Sequence, residues 1–168
     1  MQVRIILALA LVAGCTLCGK TLAEAARRRV RLLCSLSEGV KLLRTRMMSL
    51  FEPVAQLLCQ SECPALAQVG NRMDSGRSAA QAWTEVKART RRQGGQLDAL
   101  NDGDRQVLDQ MFEHLGESGR EAQALMLSGA AQALELRCED ARKRAAEADR
   151  LYVTLGLLIG MMLALMVI

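Results

Sequence analysis

The last seventeen residues, Tyr152 to Ile168, read YVTLGLLIGMMLALMVI, with no charge and no proline. At about 1.5 Å per residue, a helix of this length comes close to covering a hydrocarbon core of about 30 Å. This stretch is therefore expected to be a membrane helix, with the chain ending in it. Gly156 and Gly160 lie one turn apart on one face, a spacing that lets another helix approach closely in lipid. A second uncharged stretch, Ile5 to Gly19, lies between Arg4 and Lys20 and carries Ala10 and Gly14, also one turn apart. A hairpin with contact between these two small-residue faces is the simplest arrangement.

The N-terminal stretch has two readings. It is short for a membrane span and long enough for a signal segment. Val12-Ala13-Gly14-Cys15 also fits the box at which bacterial lipoproteins are cleaved and lipidated on cysteine. The flanking charges favour a retained anchor. Only Arg4 precedes the stretch, whereas Lys20, Arg27, Arg28, Arg29 and Arg31 follow it, and Arg142, Lys143, Arg144 and Arg150 stand before the other segment. The positive-inside rule then keeps the region between the segments in the cytoplasm. The expected layout is a transmembrane segment over 1–21, a cytoplasmic helical bundle over 22–150 and a second transmembrane segment over 151–168.

Composition points to an all-α fold for the middle region. Of 168 residues, four are aromatic and two are proline, while alanine, leucine and methionine, all strong helix formers, supply the apolar bulk. The net charge of +4 hides an asymmetry: residues 20–50 hold eight Lys/Arg and two Glu, and residues 102–150 hold seven Arg/Lys and eleven Asp/Glu. No aromatic residue interleaves with the basic block, so a nucleic-acid surface is not indicated. A membrane-side role suits that block better.

Helical periodicity runs on from Leu22. Val30, Leu33, Ser37, Val40, Leu43, Met47 and Leu50 recur at three or four residues, a stripe for a partner helix. Glu52-Pro53 interrupts it, a short helix carries Val54, Leu57 and Leu58, and Pro64 opens another with Leu66, Val69 and Met73 inward. After a turn at Asp74–Arg77, Ser78 and Gln81 form a capping box for a helix that buries Ala82, Trp83 and Val86 and stops at Gly94-Gly95. Asp102 is expected to cap a helix bearing Val107, Leu108, Met111, Phe112 and Leu115, closed by Gly116 in the left-handed conformation. Ser118 and Glu121 read as a further capping box. The last helix can then run from Gly119 to the C-terminus, about 50 residues or roughly 75 Å. The expected core includes Leu33, Val40, Trp83, Val86, Leu108, Phe112, Leu115 and Leu125.

No catalytic chemistry is indicated. There is no phosphate-binding loop, no cluster of metal ligands, and no nucleophile with a base beside it, so the expectation is a non-enzyme without cofactor or metal. The cysteines at 15, 18, 34, 59, 63 and 138 read as small buried hydrophobes in a reducing compartment, the alternative being a Cys59–Cys63 disulfide.

Phe112-Glu113-His114-Leu115-Gly116, Arg120, Gln123, the Ala/Glu-rich stretch after them and Leu155-Gly156-Leu157-Leu158-Ile159-Gly160 carry a resemblance. With the N-terminal apolar stretch, the basic helix and Gly76-Arg77-Ser78 before Trp83, the chain resembles the stage III sporulation protein AB family of endospore-forming bacteria. It departs from that pattern at Gly119, where an acidic residue is expected. The family in turn resembles the cytoplasmic domains of platform protein F of type II secretion and type IV pilus systems. The resemblance implies a structural component of a channel between mother cell and forespore, in the mother-cell membrane facing the forespore. Its partners would be other stage III channel proteins, among them a cytoplasmic ATPase docked on the helical domain. Gly116, Glu117, Ser118, Arg120 and Gln123 form the helix turn that the resemblance places near a partner. Self-association through the membrane glycines is a further expectation. The alternative function is a membrane-anchored or lipidated envelope scaffold without an ATPase partner.

Overall fold

The computed structural model describes the backbone of residues 2–50, 52–93 and 95–167, and the side chains of 24–50, 52–90, 95–148 and Leu151, Thr154, Leu155, Leu158 and Met162. Two long helices dominate: α1 (Gln2–Ser49) and α6 (Arg120–Val167), each of 48 residues. Between them lie α2 (Val54–Cys59), α3 (Pro64–Asp74), α4 (Ala79–Gln93), a 3₁₀ turn (Gln96–Ala99) and α5 (Asp102–His114). Among the described residues there is no strand. The chain forms two compact units, 31–139 and 1–30 with 140–168.

The unit 31–139 is built on the stripe of α1. Leu33, Leu36, Ser37, Val40, Leu43 and Met47 are buried, and so are Leu127, Ala131, Leu134 and Cys138 of α6. Three links tie the two helices. The buried Ser37 hydroxyl donates to the Ala131 carbonyl at 3.3 Å, Lys41 Nζ meets Glu135 Oε1 at 2.6 Å, and a disulfide joins Cys34 to Cys138 with Cα atoms 5.6 Å apart. The disulfide corrects the reading of the cysteines as unpaired thiols or as a Cys59–Cys63 bridge, since Cys59 and Cys63 are free. Positions 104 residues apart meet only once α1 and α6 lie side by side, which local spacing does not reveal.

The short helices close against one another. Pro53 and Pro64 stand where a missing N–H costs nothing, at the N-cap of α2 and in the first turn of α3. Gly70 lets α3 approach α2, for a Cβ there would land on the backbone of Leu58 and Cys59. The box predicted at Ser78 forms, with the Gln81 N–H donating to Ser78 Oγ at 3.3 Å and the Ser78 N–H to Gln81 Oε1 at 3.4 Å. For α5 the cap is Asn101, one residue before the expected Asp102, in a box with Asp104. Phe112 is wholly buried and stacks on Trp83 with ring centroids 4.9 Å apart.

One predicted core residue is misplaced. Leu125 is 76% exposed, because the face of α6 that meets the bundle is set by Ala124, Leu127 and Ala131. Leu50, the last residue of the α1 stripe, is also exposed, at 41%, just beyond the helix end. In the other unit, Ala141 and Ala145 are buried, while Leu151, Leu155, Leu158 and Met162 are exposed. Among the described residues no helix is long and apolar enough to cross a membrane. Most side chains of the two terminal apolar stretches lie outside the described ones.

Replacing Phe112 by Ala should destabilise the fold by about 3–5 kcal/mol, the range for emptying a filled aromatic site. Leu125→Ala should change stability by less than about 0.5 kcal/mol. Urea unfolding of the two variants checks this, and a large loss at Leu125 would contradict the placement.

Candidate partner-binding surface

The turn between α5 and α6 is made by one left-handed residue. Gly116 has φ +96° with nothing within 4 Å of a Cβ placed on it, so backbone conformation alone demands glycine there. The turn is exposed from Gly116 to Glu121. Glu117 Oε2 lies 3.4 Å from His114 Nδ1, and the Glu117 N–H donates to the His114 carbonyl at 3.4 Å. The predicted Ser118–Glu121 box gives way to another device, since α6 begins at Arg120 and Gly119 supplies the first helical carbonyl, accepting from the Gln123 N–H at 3.0 Å. The buried Gln123 side chain reaches back and donates to the Ser118 carbonyl at 2.6 Å. Gly116, Glu117, Ser118 and Arg120 thus share one exposed turn, and Gln123 is its buried brace. The other positions singled out, Ala10, Gly14, Gly156 and Gly160, fall in α1 and α6, but their surroundings lie outside the described side chains.

Two features escaped sequence reasoning. Asp104 is wholly buried. Its Oδ2 accepts from the Asn101 N–H at 3.2 Å, and its Oδ1 lies 3.4 Å from Arg137 Nη1 of α6. The Asn-x-x-Asp spacing was a visible signal for the cap, whereas the arginine 33 residues on was not. The second feature is a polar node on Trp83. Its indole N–H donates to Asp109 Oδ1 at 2.5 Å, Lys87 Nζ meets the same oxygen at 2.6 Å, and that ammonium lies 5.6 Å from the ring centroid. An open groove of about 340 Å³ runs beside the node, lined by Trp83, Lys87, Leu97, Leu100, Arg105 and Asp109 among others.

These groups are committed to one another. Asp109 is shared by an indole and an ammonium, and Arg105 spans Asp102 and the Leu97 carbonyl. Burial, then the charge of Asp74, pushes the Cys59 thiol up, which disfavours the reactive thiolate. Among the described residues, no three His, Cys, Asp or Glu side chains gather as a metal would require.

Fold and surface together define a small all-α protein in which two 48-residue helices flank a set of short ones in sequence. The model of the family described as stage III sporulation protein AB matches residues 4–168, and the chain belongs to that family. It is accordingly a protein of stage III of sporulation. No curated relative and no solved structure matches it.

Substituting Gly116 by Val should cost about 1 kcal/mol or more from backbone strain. Gly119→Ser, at the helix N-cap, should be neutral or slightly stabilising. Thermal melts of the two variants test the assignment, and a Gly116→Val chain as stable as the parent would refute the left-handed turn.

Proposed function

We propose that this chain is a structural, non-enzymatic membrane component of a secretion-like channel complex between mother cell and forespore, required for endospore formation. Its helical bundle lies in the cytoplasm of the mother cell and docks a secretion-type ATPase at the turn of Gly116, Glu117, Ser118 and Arg120. Other stage III proteins complete the complex.

The observation that carries the membrane part is a row of apolar side chains on the last helix. Leu151, Leu155, Leu158 and Met162 recur at four, three and four residues, with exposures of 60, 48, 53 and 67%. Such a row is costly in water and neutral against lipid. Arg142, Lys143 and Arg144 precede it and are exposed, as the cytoplasmic flank of a span would be. The ATPase part is supported by family membership and by an exposed turn carrying opposite charges at Glu117 and Arg120.

One observation favours the alternative of an envelope scaffold without an ATPase. The Cys34–Cys138 disulfide belongs to an oxidising compartment by the usual rule, and a bundle outside the cytoplasm would meet that rule. The two readings separate on topology. A cytoplasm-only reporter inserted at Gly95 should be active under the channel reading and silent under the other. Under the channel reading, Glu117→Arg with Arg120→Glu should lower ATPase co-purification from sporulating cells about tenfold, equivalent to ~1.4 kcal/mol. Unchanged co-purification would remove the turn from the contact.

A further inference from the structure

Four turns of α6 carry a line of uncharged exposed positions, with the exposed Glu121 and Glu135 beside it. Ala122, Leu125, Gly129, Gln132 and Leu136 are all exposed, Leu125 at 76% and Leu136 at 59%. They follow one another at three, four, three and four residues, the spacing of a coiled-coil seam. The opposite face of the same helix, Ala124, Leu127, Ala131, Leu134 and Cys138, is buried. The seam ends where the next two positions in the spacing carry Glu139 and Lys143.

Gly129 sits in the middle of this seam and nothing among the described residues explains it. A Cβ there would meet no atom within 4 Å, its backbone is ordinary helix, and glycine inside a helix costs about 1 kcal/mol relative to alanine. A glycine with open space above it, bracketed by two exposed leucines, suits the close approach of another backbone. We propose that this face of α6 docks the same face of a second copy of the chain.

A copy of itself fits the seam better than a charged partner. The five seam positions themselves carry no charge that pairing would bury. The single strongly polar group, the Gln132 carboxamide, both donates and accepts, so its counterpart on a two-fold related copy satisfies it. An isologous pair also presents each leucine with an apolar partner from an identical patch. Two heptads form a contact smaller than the ~800 Å² per partner of a stable soluble dimer. The pairing therefore depends on copies being held at high effective concentration and is best tested in cells.

The full chain is expressed with the photo-crosslinker p-benzoylphenylalanine at position 125, 132 or 136, and, as controls, at the exposed positions of Gln106 and Gln110 on α5. Irradiation should yield a band of two chains from the three α6 positions and not from the controls, with mass spectrometry placing both ends within 118–140. Gly129→Arg should reduce that band at least about tenfold, equivalent to ~1.4 kcal/mol, while the thermal midpoint of the fold is kept. Absence of the band at all three positions, equal bands at the controls, adducts to a different protein alone, or an undiminished band in the Gly129→Arg chain would each overturn the proposal.

Discussion

The contact between α1 and α6 is the constraint on which the rest of the unit 31–139 depends. The residues that form it come from opposite ends of the chain, so everything between 50 and 119 is a closed excursion from one long helix to the other. Burial of Leu33, Leu36, Val40, Leu127 and Leu134 supplies the non-directional drive. The Ser37–Ala131 hydrogen bond and the Cys34–Cys138 bridge supply register. The Lys41–Glu135 pair adds little, because both partners are about half exposed and such pairs contribute about 0–1 kcal/mol.

The short helices then solve a packing problem with few residues. None is long enough to be stable alone. They are stopped and started by local chemistry, Pro53, Pro64, the Ser78 and Asn101 boxes and Gly116, and held by the stacked pair of Trp83 and Phe112. Asp104 links this excursion to the frame: it caps α5 and meets Arg137 of α6. Its burial makes the arginine matter more than a surface ion pair would, since a buried carboxylate depends on its charged and hydrogen-bonded partners.

Much of this is legible in the sequence because its signals are local. A stripe at helical period marks the buried face of α1, prolines and capping boxes mark helix starts, and a glycine after Leu115 marks a left-handed turn. Relations between distant parts are not legible in this way. The Cys34–Cys138 pairing and the Asp104–Arg137 contact depend on which faces of separate helices meet. Leu125 reads as core because leucine is usually buried, yet α6 turns a face of small residues, Ala124 and Ala131, to the bundle and leaves Leu125 outside. The start of α6 departs from expectation for a subtler reason: Ser118 and Glu121 have the spacing of a box, but the buried Gln123 brace on the Ser118 carbonyl sets the start at Arg120. Of the candidate surface, the exposed turn is visible in advance, whereas the Trp83–Lys87–Asp109 node is not, since it joins α4 to α5.

The central claim, that pairing of α1 with α6 frames the fold, is tested most directly through the covalent link between them. Urea unfolding of the full chain in detergent, followed by the fluorescence of its single tryptophan, Trp83, is compared before and after reduction, with thiol counting to show that Cys34 and Cys138 are released. Closing a loop of about 100 residues is a large constraint on the unfolded chain, and removing a bridge of this kind typically costs about 2–4 kcal/mol. A loss of that size with a transition that stays cooperative is the predicted result. An unfolding curve unchanged after complete reduction would contradict it.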